Sequence, residues 1–173
     1  MRKLLGFCAF AALVAAPGIA GAQSSMSSSM ANGPHAYDWM IGTWSCTNSV
    51  PNALAGPASQ TLTATRSATT GAIIWRYTGK NYDQYGFLSY EGATHTWWQS
   101  WAYPGGSVGN ESSTMTPGKR TVWNGSVFDA TNGTHFHVQD TLTIDSPTKF
   151  VDVGLSGASG SMKPDYNGTC VKS

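Results

Sequence analysis

The chain has 173 residues, with 10 Lys and Arg against 9 Asp and Glu, so it is near-neutral and offers no basic stripe to nucleic acid or to an anionic lipid surface. Aromatic residues make up 12% of it and charged residues only 11%, and its length suits one domain with a sizeable core.

Residues 1–22 read as a cleaved secretory signal peptide. Arg2 and Lys3 form a positive n-region, Leu4 to Ala16 is an apolar run too short to span a bilayer comfortably, and Ala20-Gly21-Ala22 is a small-residue cleavage site. A lipoprotein signal would need small residues just before Cys8, where Phe7 stands instead. Cleavage leaves 151 residues carrying 8 basic and 9 acidic side chains, with no second hydrophobic run to serve as a membrane anchor. The short, Ala-rich signal has a bacterial look, so the expected location is periplasmic or secreted. Residues 23–36, "QSSMSSSMANGP" followed by His35 and Ala36, hold almost no core-forming side chains and read as a disordered Ser- and Met-rich tether. Met26 and Met30 are soft thioether donors of the kind copper(I) accepts, but two methionines in a serine linker are better read as linker.

A short helical turn is expected around Tyr37 to Ile41. From Thr43 onward the pattern is β: Thr, Val, Trp, Tyr and Ile are dense, helix formers are sparse, and turn residues recur roughly every eight to twelve positions. Strands are expected near 42–48, 60–67, 71–79, 85–90, 94–103, 107–115, 120–129, 135–144, 149–156 and 165–172. Glu91-Gly92, Pro104-Gly105-Gly106, Pro117-Gly118-Lys119 and Asn132-Gly133 supply turn chemistry, and Pro147 after Ser146 breaks a ladder because it lacks an N–H. About ten short sequential strands with brief loops predict an all-β fold, an up-and-down antiparallel β-barrel, over residues 37–173; closure removes the exposed edge strands. A β-sandwich is the alternative.

Cys46 and Cys170 remain after signal cleavage, one on the first strand and one on the last. In an exported protein an even pair reads as a disulfide, and in a closed barrel those strands are neighbours. The bridge would stabilise by about 4–5 kcal/mol in the chain-entropy model. Two buried free thiols are the other reading.

The stretch "DWMIGTWSC", Asp38 to Cys46, resembles the opening of calycin-superfamily barrels (lipocalins, fatty-acid-binding proteins, nitrobindin-like proteins) in its Gly-x-Trp at the first strand. More closely, the chain is similar to the bacterial DUF1579-type, lipocalin-like secreted proteins. The matching residues are Trp39, Gly42, Thr43, Trp44 and Cys46, then "YGFLSYEGATHTWWQSW" from Tyr85 to Trp101, and the terminal "YNGTC". The resemblance spans most of residues 37–172. It implies a calycin-like barrel whose base is plugged by Trp44, and it implies no particular ligand.

Strand 94–103 carries the most chemistry. By the two-residue period, His95, Trp97, Gln99, Trp101 and Tyr103 share one face, and Thr96, Trp98, Ser100 and Ala102 the other. The first face, joined by Trp75 and Tyr77 from strand 71–79, would wall a cavity with aromatics and two polar handles, which is how small-ligand sites are built. The competing reading is that these rings only fill the core. Trp98 is the weak point, since this register leaves it exposed or covered by the segment around Trp39. Arg66 and Arg76 are expected on the solvated exterior, because a buried guanidinium would need a carboxylate.

His135 and His137 share a strand face, a spacing that can begin a metal site, but Phe136, Val138, Leu142 and Ile144 mark the opposite face as the core side and turn the histidines outward. No histidine follows His137, so the C-terminal haem ligand of nitrobindin-like barrels has no counterpart. "GGSVG" around Ser107 matches the nucleophile-elbow spacing, yet it lies in a hairpin rather than at a strand-to-helix turn. Asp and Glu are scattered singly and suggest no acid–base pair. Sequons begin at Asn110, Asn124, Asn132 and Asn167; the Asn-Gly pairs among them are read as turn or bulge residues.

The expected function is an exported barrel that binds a small apolar or aromatic molecule, with no catalytic residues, metal or other cofactor assigned. The alternatives are a calycin-fold enzyme (isomerase, cyclase or hydrolase) using His95, Tyr77 or Tyr103, and a ligand-free envelope protein. A cavity above about 300 Å³ favours a ligand, a titratable pair inside it favours catalysis, and a packed interior favours the structural role.

Overall fold

The computed structural model describes residues 33–52, 54–115 and 118–173. The expected signal peptide and residues 23–32 of the expected tether lie outside them. The tether's last residues, 33–36, belong to the fold. Ala36 is buried, and Arg66 donates to the Pro34 carbonyl (3.0 Å) and to the Asp38 carboxylate. Where a helical turn is expected there is one turn of 3₁₀ helix, Asp38–Met40.

Ten strands follow: β1 Gly42–Asn48, β2 Ser59–Arg66, β3 Ile73–Gly79, β4 Tyr82–Glu91, β5 Thr96–Ala102, β6 Val108–Ser113, β7 Arg120–Asp129, β8 Thr134–Ser146, β9 Lys149–Ala158 and β10 Ser161–Lys172. Each pairs antiparallel with its chain neighbour, and β1 pairs with β10, so the sheet closes into an up-and-down barrel. Cys46 sits directly opposite Cys170 across that seam, with Cα atoms 4.1 Å apart and the disulfide formed. A closed sheet has a single dry face, which forces the two-residue alternation. Trp44, Cys46 and Asn48 of β1 and Gln60, Leu62 and Ala64 of β2 point inward, while the hydroxyl-rich set between them meets water.

The strand boundaries differ from expectation where turn chemistry was unobtrusive. β4 starts at Tyr82 because Lys80-Asn81 makes a two-residue turn, with Asn81 taking φ 56 in place of a glycine. β10 starts at Ser161, after Ser159-Gly160, and carries Pro164 beside a bulge before Tyr166, where a ladder N–H is dispensable. The Asn-Gly pairs behave differently from one another. Asn132-Gly133 is a turn, but Gly125 lies within β7 and Gly168 within β10. There a side chain would collide with the Asn110 carbonyl or with the Tyr166 ring, so these glycines serve close approach rather than turning.

The 33–40 segment closes the barrel base. Trp44 is wholly buried there: its Nε1 donates to the Met40 carbonyl at 2.8 Å, its ring meets Phe150 and Trp39 edge-to-face, and Lys172 Nζ stands 5.0 Å from the ring centre. Trp44→Ala is expected to cost about 3 kcal/mol in urea melts. That is the low end for a core tryptophan, because the short 38–40 turn can settle into part of the void. A loss below about 1 kcal/mol would show that Trp44 does not hold the base together.

Candidate functional site

The barrel interior holds a cavity of about 110 Å³. Tyr37 and Met40 of the base segment border it, the β1–β2 loop adds Leu54 and Ala55, and the walls between are aromatic. A single water needs roughly 10–15 Å³ by comparable measure, and a 150 Å³ apolar cavity takes up benzene. This space therefore suits a compact organic molecule or several waters. It is below the roughly 300 Å³ at which drug-sized pockets begin, and it is not a filled core.

Of the residues expected to face a ligand, Trp75, Tyr77, Gln99, Trp101 and Tyr103 line this cavity. Glycines opposite the tryptophans make room for their rings: Gly86 pairs with both Trp75 and Trp101, and Gly109 pairs with Trp101 from the other side. Trp97 faces inward and is buried, but it is core. It packs edge-on against Tyr37 at 4.7 Å and at a tilt against Tyr90 at 5.1 Å, outside the cavity wall. His95 is not on the face at all. It takes φ 53 in the turn that ends at Thr96, is exposed, and meets Tyr90 Oη at 2.7 Å through Nδ1. The expected turn at Glu91-Gly92 runs on through Thr94 and His95, which is why β5 begins two residues later than read. Trp98 points outward at 44% exposure, its Nε1 donating to Glu91 Oε2 at 3.2 Å.

The other candidates are peripheral. Arg76 makes a paired hydrogen bond to Asp83 on the exterior, at 2.7 and 2.6 Å. His135 and His137 are exposed on β8, His135 stacking on Phe128. Among the described residues, no three His, Cys, Asp or Glu side chains are placed to hold a metal ion. Ser107 lies in the β5–β6 turn, where its Oγ accepts the Ala130 N–H at 3.0 Å and donates to Asp129 at 3.4 Å.

The polar part of the interior was missed by sequence reading. Far from being scattered, Glu111 of β6, Asp140 of β8 and Asp152 of β9 turn into the barrel and act on one another's acidity. Glu111 is 1% exposed and accepts a 2.8 Å hydrogen bond from Gln99 Nε2. Glu111 and Asp140 lie near enough for each to shift the other's acidity. Gly125, the inward position of β7 between them, offers no side chain to separate them. Asp140 lies over Gly154, where a β-carbon would stand 2.7 Å from its Oδ1. Asp140 and Asp152 line the cavity.

Burial is the first cause of their acidity changes. It pushes the Glu111 carboxyl up to about 10, helped by the charge of Asp140 and opposed by the Gln99 hydrogen bond. It raises Asp140 to about 6, with Glu111 pulling the other way. Asp152 is also raised, by burial and then by Asp140. Two ionised carboxylates cannot share so dry a space, so the group retains protons at neutral pH. Around it, burial raises the phenols of Tyr77, Tyr103 and Tyr166, which stay neutral. A signal for this cluster existed: Asp140 interrupts the inward row Val138, Leu142, Ile144 at the two-residue period, and Asp152 sits between Phe150 and Gly154.

Fold and site together define a closed, ten-strand up-and-down β-barrel with an aromatic, carboxyl-bearing cavity. In comparisons with known proteins the chain matches no family model and no curated protein.

Proposed function

We propose that this chain is an exported binding module that takes a small, apolar or aromatic molecule into the barrel, as its likeness to the lipocalin-like secreted proteins also suggests. The observation that carries the reading is the cavity itself, walled by Trp75, Tyr77, Trp101 and Tyr103 in a fold that could have filled it. The Cys46–Cys170 disulfide is in keeping with an oxidising, extracytoplasmic location. Native mass spectrometry of protein purified from its own cell envelope tests it. A stoichiometric co-purifying mass, lost on unfolding, is the expected result. A bare polypeptide that also leaves its Trp fluorescence unmoved by benzene or indole would refute it.

Glu111 and Asp140 favour one second reading, an enzyme on the same barrel, because neighbouring carboxyls with unequally raised acidities can serve as acid and base. Incubating any co-purified molecule with fresh protein separates the two. A chemical change abolished by Asp140→Asn marks catalysis, and unchanged release marks binding.

A further inference from the structure

We propose that the barrel interior selects a small organic ammonium cation, held by the Asp140 and Asp152 carboxyls inside the Trp75, Trp101 and Tyr77 walls. The inference rests on the small-molecule-binding reading and narrows its ligand class.

Charge balance is the first argument. Asp140, Asp152 and Asp165 line the cavity, and no Lys, Arg or His does. The ion pairs found among the described residues use Asp38, Asp83 and Asp145, all partly exposed, and leave the interior carboxyls without a cation. Burying carboxyls without a cationic partner is costly, so alone they hold protons, and a bound organic cation can take the place of such a proton.

Unpartnered polar atoms are the second, independent argument. Trp101 is 7% exposed and lines the cavity, and its Nε1–H has no hydrogen-bond acceptor. Tyr37 is 1% exposed, also lines the cavity, and its Oη completes no hydrogen bond. Asp152 Oδ1, Glu111 Oε1 and Tyr166 Oη are likewise unmatched. Buried polar groups in folded proteins are normally paired, so this set describes what is to be received: donors for the carboxylates, and an acceptor for Trp101. An ammonium with a hydroxyl or carbonyl a carbon or two away supplies both. The faces of Trp75 and Trp101 favour the same charge through cation–π attraction. A metal ion is a poorer match, since the carboxyls do not converge as ligands.

Calorimetry and thermal melts on the folded, disulfide-bonded protein test this with two matched pairs: 2-aminoethanol (as its ammonium) against 1-propanol, and choline against 3,3-dimethylbutan-1-ol. Each pair differs mainly in charge. At least one cation should bind tenfold or more tightly than its neutral partner, and that preference should fall to threefold or less in Asp152→Asn. Its affinity should rise from pH 5 to pH 8 while the neutral partner's stays flat, because ionising the carboxyls favours only the cation. The ionisable side chains facing such a ligand are Asp140, Asp152, Asp165, Tyr77, Tyr103 and Tyr166; Asp140 supplies the change between pH 5 and pH 8, and the three phenols remain neutral. If Asp152→Asn fails to fold, the wild-type comparison and its pH profile decide alone. Equal binding of both members of each pair would overturn the ammonium inference and leave the binding module standing. No binding by any probe would also overturn it, and the binding module falls with it only if the native mass spectrum shows no adduct.

Discussion

Removing the Cys46–Cys170 bridge is expected to lower stability by about 5 kcal/mol, the largest single effect in this barrel. The bridge joins residues 124 apart in sequence, so it restrains nearly the whole described chain in the unfolded state. Its Cα partners face each other directly across the β1–β10 seam. The seam is also held by backbone pairing from Trp44↔Lys172 to Asn48↔Gly168, so a reduced chain retains a reason to close. Both Cys46→Ala/Cys170→Ala and the wild type in reductant should therefore fold and then melt about 2–3 M earlier in urea, taking a slope of about 2 kcal/mol per M. Agreement between the two distinguishes the lost restraint from the lost sulfur volume. A shift under about 1 kcal/mol in both would mean that pairing alone holds the seam. Labelling of the unreduced, denatured mature protein should find no free thiol.

Much of the barrel was legible because its signals are local and periodic. Thr43 to Asn48 alternates cleanly, Gly105 and Gly133 sit in turns with positive φ, and a Cys on each terminal strand pointed to the seam. The same two-residue period turns Trp97 and Trp101 of β5 inward and Trp98 outward. His95 was misplaced because a non-glycine residue took the left-handed conformation, which composition does not announce. The carboxyl cluster was hidden by a different limit. Glu111, Asp140 and Asp152 lie on three strands: Asp140 and Asp152 are diagonal neighbours across the β8–β9 ladder, and Glu111 comes in from β6 on the far side of β7. Each appears in sequence as a lone acid, and its meaning depends on the opposite wall. Asp140 did carry a local sign, as the one charged residue in an inward apolar row. Charge is ordinarily grounds for placing a residue outside, so the exception passed as noise.

That buried cluster leads to the second large effect, a stability that falls as pH rises. Glu111 holds its proton in the folded barrel up to about pH 10, whereas the unfolded chain releases it near 4.5. Between those values the folded state carries the extra proton, so each unit of rising pH favours unfolding by about 1.4 kcal/mol for one such group. Its favourable contribution is complete below pH 4.5 and is lost progressively toward pH 10. For one retained proton the difference between pH 5 and pH 8 is about 4 kcal/mol, and the raised Asp140 and Asp152 act in the same direction. The exposed pair Arg76–Asp83 opposes this only in more acid solution, where its lowered carboxylate protonates. Urea midpoints should therefore be higher at pH 5 than at pH 8. Glu111→Gln isolates the cause: the amide cannot ionise, keeps an oxygen for Gln99 Nε2, and fits the same volume. This variant should flatten the profile markedly and be more stable than wild type at pH 8, where wild-type Glu111 is forced to remain a buried acid. A wild-type profile that is level or rising from pH 5 to pH 8 would mean the interior carboxyls are ionised and already compensated. A falling profile that Glu111→Gln leaves unchanged would move the retained proton to Asp140 or Asp152.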